Sequence, residues 1–151
     1  MSVNSQIEQN MDSSSIDFHM KSVLVVDDNP YVRAGLRHLL EKDAELQVCG
    51  EAADGVEAIR KAVEQKPSLI VMDLSMPYLN GVAAASKIRT LLPDTRIVVF
   101  TLFSDEFGKS MARVIGVDLV ISKTDGVTGL MEKLRKFLAT SVSPQTEKTA
   151  N

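Results

Sequence analysis

The sequence predicts an α/β domain built on a five-stranded parallel sheet with helices on both faces. Five short apolar runs alternate along the chain with five segments of helical character, and this order is typical of a doubly wound sheet. The run Leu69–Met72 is apolar at every position, as expected of a strand covered on both faces. At 151 residues and 44% hydrophobic composition, the chain is long enough for one such core.

The first two strand–helix units are predicted from apolar runs and helix-start signals. Residues 23–26 form the first run, and Pro30 suits the first turn of the next helix because its missing N–H has no partner there. Residues 46–50 form a weaker second strand, followed by Asp54 and Glu57, whose spacing resembles a capping box. The inward face of the second helix is expected to comprise Ala58, Ile59, Ala62 and Val63.

The third strand is predicted over residues 68–73, and the later units follow the same order. The third helix is predicted to begin at Gly81 and to end before the next proline. Residues 97–100 form the fourth strand, and residues 104–106 have the N-cap and first-turn chemistry of a fourth helix. The fifth strand is predicted over residues 117–122, and the last helix ends at Thr140. The inward residues of the fourth helix are expected to be Phe107, Met111 and Val114.

Polar segments flank this predicted domain at both ends. Residues 1–20 are rich in Ser, Asn, Gln and Asp and have no apolar period, and residues 141–151 form a polar tail. Such segments bury too little apolar surface to offset the entropy of ordering, so both are expected to be disordered. The domain is therefore expected to span residues 21–140.

Composition excludes several classes of protein. The single cysteine, Cys49, rules out an intramolecular disulfide and any cysteine-cluster metal site. A formal net charge of −3 gives no basic footprint for nucleic acid. No apolar stretch reaches the roughly 20 residues that span a membrane, and the N-terminus lacks the layout of a secretory signal. We expect a cytoplasmic protein.

Four of the apolar runs end in a polar residue that could carry chemistry. Asp27 and Asp28 follow the first run, Asp73 the third, Thr101 the fourth and Lys123 the fifth. In a parallel sheet these ends lie at one edge, where open α/β sheets bind ligands. With strand order 2-1-3-4-5, the first and third strands are neighbours, so the three carboxylates are expected to meet in one cleft.

Three neighbouring carboxylates need a cation. Two unit charges 4 Å apart repel by about 4 kcal/mol at an effective dielectric constant of about 20, so one group must protonate or a positive charge must lie among them. Mg²⁺ suits such oxygen ligands. Lys123 can hold a phosphoryl oxygen by its charge, and Thr101 by its hydroxyl. The set predicts a phosphoryl-transfer centre in which Asp73 is the nucleophile and forms an aspartyl phosphate.

Each of these residues also has a purely structural interpretation. Asp27 and Asp28 could cap the first helix, and Asp73 could be an ordinary strand-end carboxylate. Thr101 and Lys123 could be a turn residue and a solvated charge. Their joint placement at the ends of four apolar runs favours the functional interpretation.

The motifs resemble the receiver domain of bacterial two-component response regulators, the CheY-like member of the flavodoxin-like folds. The matching stretches are residues 23–28, the segment Asp-Leu-Ser-Met-Pro-Tyr-Leu-Asn-Gly at 73–81, the strand end at Thr101, and residues 116–123. Together they place the resemblance over about residues 21–140. The ending Lys-Thr, without proline, is closest to receivers of the NarL/FixJ type.

The resemblance implies a role for each site residue. Asp73 is implied as the phosphoacceptor, supplied by a phosphohistidine on a sensor histidine kinase or phosphotransfer protein. Asp28, Asp73 and the backbone carbonyl of Ser75 are implied as direct Mg²⁺ ligands, with Asp27 acting through water. The remaining two roles, the hydroxyl that moves toward the phosphoryl group and its charge partner, fall on Thr101 and Lys123.

Two departures from the family pattern concern the output of the switch. Val120 stands where the family has its switch aromatic, so the usual coupled rotation with Thr101 cannot operate in that form. Leu102 stands where a small residue is common and narrows access to the acyl phosphate. Both motivate an alternative function, a phosphorylation-independent interaction module with the same fold.

The leading expectation is a signalling receiver rather than an enzyme, with self-catalysed phosphoryl uptake and autodephosphorylation only. A phosphatase of the HAD type also uses an aspartyl phosphate, but it requires a second aspartate two residues after the nucleophile, where this chain has Ser75. No DNA-binding domain is expected within this chain. The sequence names no downstream effector, and it leaves open a homodimer formed through the last helices.

Overall fold

A computed structural model describes residues 20–76, 80–102 and 106–140 of the chain. Within them, five parallel strands form one sheet in the order β2-β1-β3-β4-β5, which confirms the predicted fold. The strands are β1 Lys21–Val26, β2 Leu46–Ala52, β3 Leu69–Met72, β4 Arg96–Thr101 and β5 Leu119–Ser122. The helices are α1 Pro30–Glu41, α2 Gly55–Gln65, α3 Gly81–Leu91, α4 Glu106–Ile115 and α5 Gly126–Thr140.

The sheet register brings the ends of β1 and β3 side by side. Val26, the last residue of β1, pairs with Met72 of β3 and Ala52 of β2. The hydrogen-bond ladder continues one residue further, because the Asp27 N–H donates to Ala52 O at 3.0 Å and the Asp73 N–H donates to Val26 O at 3.0 Å. Both aspartates are therefore held by the sheet itself.

β2 carries one extra residue relative to β1. Val23 pairs with Val48, whereas the next residue, Leu24, pairs with Gly50, so the register skips Cys49. Such a bulge reverses the alternation of side chains beyond it. The Cys49 thiol donates to Val23 O at 3.4 Å, and burial is the main cause that raises its pKa.

Two apolar cores lie on opposite faces of the sheet. Alternate residues of β1 point to opposite sides, so Val23 and Val25 pack with α1 and α5, whereas Leu24 and Val26 pack with α2, α3 and α4. This arrangement confirms the helices on both faces. Burial of each large aliphatic side chain stabilises the fold by about 1.5–3 kcal/mol.

The helix starts of α1, α2 and α3 are as predicted. The side chains of Asn29, Asp54 and Asn80 each accept a backbone N–H from the first turn that follows. The Glu57 carboxylate pairs with Lys61 at 3.0 Å, one turn further along α2. The predictions for residues 1–19, 104–105 and 141–151 lie outside the described residues.

All five strands differ from the prediction by one or two residues at an end. β1 begins at Lys21 rather than at residue 23, β3 spans Leu69–Met72 rather than residues 68–73, and β4 spans Arg96–Thr101 rather than residues 97–100. β2 continues to Ala52, two residues beyond its predicted end. β5 begins at Leu119 rather than at residue 117.

The Asp118 side chain, just before β5, connects β4 to α3. Its carboxylate accepts from the Ile97 N–H at 2.8 Å and from Arg89 at 2.7 Å.

The inward faces of α2 and α4 were predicted only in part. Ala58 and Ala62 of α2 are fully buried, but Val63 is 45% exposed. Val114 of α4 is 81% exposed, and Ile115 is buried in its place. Either residue fits the helical spacing from Met111, so periodicity alone could not distinguish them.

An ion-pair network joins α1 to β2. Glu51 on β2 accepts from Arg33 at 3.2 Å and from Arg37 at 2.9 Å, and Arg37 also pairs with Glu41 at 3.0 Å. The hydrogen bond from Arg37 is the main cause that lowers the pKa of Glu51, aided by Arg33 and opposed by burial. Hydrogen bonds to Glu51 and Glu41 raise the pKa of Arg37 in turn.

Replacing Glu51 by Gln tests this network through the pH dependence of stability. Because the pKa of Glu51 is lower in the folded chain than its ordinary value of 4.5, its ionised form stabilises the fold above that pH, and this contribution is lost as the pH falls. The pair is partly exposed, so we expect about 1 kcal/mol or less at neutral pH. Urea unfolding of both proteins from neutral to acid pH measures the difference, which should shrink below about pH 4.5. A difference that stays constant with pH contradicts the assignment.

Truncations at two adjacent α4 residues test the orientation of that helix. Ile115→Ala should lower the free energy of unfolding by about 2–3 kcal/mol, because it removes buried methylenes and leaves a cavity. Val114→Ala should change it by less than about 0.5 kcal/mol, since its side chain faces solvent. Denaturant unfolding measures both, and comparable losses would show that the helix is rotated.

Candidate functional site

Three carboxylates meet at the carboxyl edge of the sheet. Asp27, Asp28 and Asp73 each offer one oxygen, and the three oxygens lie within 4.8 Å of one another. Asp27 is 1% exposed and Asp73 5% exposed, whereas Asp28 is open to solvent. The three carboxylates therefore converge, and two of them are buried while one is accessible to solvent.

Lys123 provides the positive charge in this cleft. Its Nζ lies 2.7 Å from Oδ2 of Asp27 and 3.0 Å from Oδ2 of Asp73. Burial lowers the pKa of Lys123, but hydrogen bonds and charge attraction from the two aspartates outweigh it, so that the pKa lies above its ordinary value. The ammonium ion is thus shared by two carboxylates that would otherwise repel each other.

Backbone groups fix the other oxygens of the two buried aspartates. Oδ1 of Asp27 accepts from the Asn29 N–H at 2.9 Å, and Oδ1 of Asp73 accepts from the Ser75 N–H at 3.2 Å. Arg33 donates from NH1 to the backbone oxygen of Asp27 at 2.6 Å. In each of these two carboxylates, one oxygen therefore accepts a hydrogen bond from a backbone amide and the other contacts Lys123.

The remaining predicted residues lie at the same edge of the sheet. Thr101 is the last residue of β4, is fully buried and pairs with Ser122 of β5. Ser75 is exposed and contacts Asp73 through its N–H. Leu102 is 66% exposed.

Val120, on β5, lines a surface cleft of about 270 Å³ between that strand and α4. It is only half-buried. The structure thus brings Asp27 and Asp73 into contact with Lys123 and leaves the individual roles of these residues as predictions.

Gly81, which the sequence predicts only as the start of the third helix, packs closely against the backbone of the site. A Cβ atom at this position would lie 2.2 Å from the backbone oxygen of Asp73 and 2.4 Å from Cα of Leu74. The Gly81 N–H also donates to Leu74 O at 2.9 Å. The start of α3 therefore rests directly on the backbone of Asp73, which only glycine permits.

Gly81→Ala should displace Asp73 and lower stability. The added methyl must push backbone atoms apart, and overpacking of this kind costs about 1–3 kcal/mol. Thermal unfolding measures the loss, and amide NMR shifts at Asp73 and Leu74 report the displacement. Gly35→Ala in α1 is the control, because its Cβ would lie 4.0 Å from Val127 and alanine favours the helix. A Gly81→Ala protein as stable as the parent, with unmoved shifts, would disprove the close contact.

The donor set of the cleft fits a divalent cation. The three side chains offer carboxylate oxygens, the type that Mg²⁺ and Ca²⁺ prefer, and these oxygens are close enough together to hold a metal ion. The backbone carbonyl predicted as the further ligand belongs to Ser75, whose amide already bonds Asp73. Within the described residues, none of the helices is long and apolar enough to cross a membrane.

Sequence comparison gives the family. The family model of the response regulator receiver domain matches residues 23–135. The chain is 40% identical over 114 residues to the response regulator protein VraR of Staphylococcus aureus, a match that covers 76% of this chain and 54% of VraR. The chain therefore spans about half the length of the curated relatives it matches.

Solved structures agree with this match. A two-component response regulator of the LuxR family from Aurantimonas sp. superposes with a TM-score of 0.75 at 30% identity, over 87% of this chain and 99% of that one. The receiver domain of NarL from Mycobacterium tuberculosis superposes with a TM-score of 0.72 at 25% identity, over 78% and 95%. The chain belongs to the response regulator receiver domain family of two-component systems, with relatives of the NarL/LuxR type.

Proposed function

We propose that this receiver domain accepts a phosphoryl group on Asp73 from a phosphohistidine of a sensor histidine kinase or phosphotransfer protein, with Mg²⁺ as cofactor. The observation that carries the proposal is the shared contact of Lys123 with Asp27 and Asp73 beside the exposed Asp28. A buried carboxylate held by a lysine is a nucleophile that keeps its orientation. The module is a signalling domain rather than a classical enzyme.

The transfer uses the existing contacts of Asp73. A carboxylate oxygen attacks phosphorus, the P–N bond of the phosphohistidine breaks, and the imidazole leaves with the bonding electrons. Lys123 already contacts Oδ2 of Asp73, so it is in place to hold a phosphoryl oxygen by its charge. In autodephosphorylation, water attacks phosphorus, the bond from phosphorus to the Asp73 oxygen breaks, and inorganic phosphate leaves, which returns the free carboxylate. No external substrate is turned over.

The metal ligands are proposed to be the carboxylates of Asp27, Asp28 and Asp73 and the carbonyl of Ser75, with Asp27 acting through water. Bound Mg²⁺ supplies positive charge to the phosphoryl oxygens and to the acids. Lys123 alone carries one charge against the two aspartates that it contacts. A phosphoryl group adds further negative charge, which this lysine cannot offset by itself.

The output is proposed to begin at Thr101, whose hydroxyl would bond the phosphoryl group after transfer. It lies at the end of β4, two residues past Val99, which pairs with Met72 just before the acceptor. Val120 is on the neighbouring strand and half-buried beside α4. The partner-binding surface that responds would include this α4–β5 face.

The receiver domain is proposed to comprise residues 21–140. A homodimer through the last helices is compatible with it, and no DNA binding is assigned to these residues.

Phosphoryl uptake from acetyl phosphate in the presence of Mg²⁺ tests the proposal. Intact-mass spectrometry should show one added phosphoryl group on the parent protein and none on Asp73→Asn, because the amide is isosteric but is not a nucleophile. Asp94→Asn, at an exposed turn near the opposite edge of the sheet, is the matched control and should label normally. Labelling that survives Asp73→Asn, or that is absent from the parent, refutes the proposal.

Beryllofluoride, a phosphoryl mimic, separates the switch from the interaction module. Amide NMR shifts that spread from the cleft to α4 and β5 support a switch. Shifts confined to the cleft support a module whose partner surface does not respond.

A further inference from the structure

Arg33 links the acidic cleft to the ion-pair network on β2. Its NH1 donates to the backbone oxygen of Asp27 at 2.6 Å, and its Nε pairs with Glu51 at 3.2 Å. The side chain is 19% exposed. One guanidinium from the first turn of α1 thus joins the end of β1 to the end of β2.

The carbonyl that Arg33 contacts lies just beyond the last backbone pair of β1. The other polar groups of Asp27 already have partners, namely Ala52 for its N–H, Asn29 for Oδ1 and Lys123 for Oδ2. Its carbonyl belongs to the planar peptide that continues into Asp28. The direction of this carbonyl therefore sets where the backbone of Asp28 begins.

We propose that Arg33 is a positioning residue for cation binding, because it orients the Asp27–Asp28 peptide so that both carboxylates face Asp73. The inference rests on the proposed function, since the cation concerned is the Mg²⁺ of the phosphoryl-transfer site. Glu51 pairs with the guanidinium through Nε, whereas NH1 contacts the backbone oxygen of Asp27. Arg33 bonds Glu51 and a backbone oxygen, so it would act on the cation through the Asp27–Asp28 peptide.

Arginine is needed for its shape rather than its charge. Two nitrogens of one planar group bond two acceptors on different strands, and a lysine ammonium cannot reproduce this fork. The positive charge of Arg33 acts against Mg²⁺ binding, because it repels the cation. Removing this charge alone would therefore tighten Mg²⁺ binding. Positioning and repulsion therefore predict affinity changes of opposite sign when the charge is removed.

Mg²⁺ titrations followed by amide NMR test the inference on the parent and three variants. Arg33→Lys keeps the charge but loses the fork, and Arg33→Gln loses both. Each should bind Mg²⁺ about tenfold more weakly, as is typical when a group that orients metal ligands is removed. Arg37→Lys is the matched control, because Arg37 pairs with the same Glu51, and it should bind as the parent does.

A second readout does not depend on the metal. In metal-free protein the amide shift of Asp28 should move in both Arg33 variants and stay unchanged in Arg37→Lys. All spectra are recorded below the onset of thermal unfolding, so that a less stable variant still reports the peptide orientation.

The outcomes separate this inference from the proposed function. Arg33 variants that bind Mg²⁺ as tightly as the parent, or more tightly, overturn the inference and leave the proposed function standing. Equal weakening in Arg37→Lys also overturns it, since the Glu51 network as a whole would then be responsible. A parent protein that does not bind Mg²⁺ overturns both.

Discussion

The repulsion between Asp27 and Asp73 is the constraint on which the site depends. Parallel pairing of β1 and β3 places both acids one residue beyond the last paired residues, with little exposure to water. Two buried anions at this spacing require a cation, and Lys123 supplies it from the end of β5, with β4 between that strand and β3. The fold thus requires a positive charge at the place where the chemistry of a phosphoacceptor also needs one.

The parts of the site that could be predicted from sequence are those fixed by strand ends. A buried run that stops at Asp73 or Thr101 marks the sheet edge, and a parallel topology brings such edges together whatever their separation in sequence. The strand order, the two-sided cover of helices and the convergence of the acids with Lys123 were all accessible in this way. Helix starts were equally accessible, since Asn29 and Asp54 cap through local hydrogen bonds.

The parts that could not be predicted depend on contacts between distant segments. Periodicity allowed either Val114 or Ile115 to face the sheet, and only the packing of α4 against its neighbours decides between them. Gly81 carried a turn signal, but its approach to the Asp73 backbone depends on how α3 returns to β3. Arg33 had no signal at all, because its two acceptors, on Asp27 and Glu51, are brought together only by the β1–β2 register.

The bulge at Cys49 has a consequence for how β2 can vary. In regular alternation Glu51 would lie on the face opposite Val48, which packs on the α1 side. The extra residue reverses that parity, and Glu51 instead meets Arg33 and Arg37 of α1. The register of β2 beyond residue 49 therefore matters more for Glu51 than the identity of the residue that bulges. Deleting residue 49 would remove the bulge but leave Glu51 opposite Val25 on the α1 side. Only a β2 strand that kept residue 49 in regular pairing would turn Glu51 away from α1 and remove its contact with Arg33.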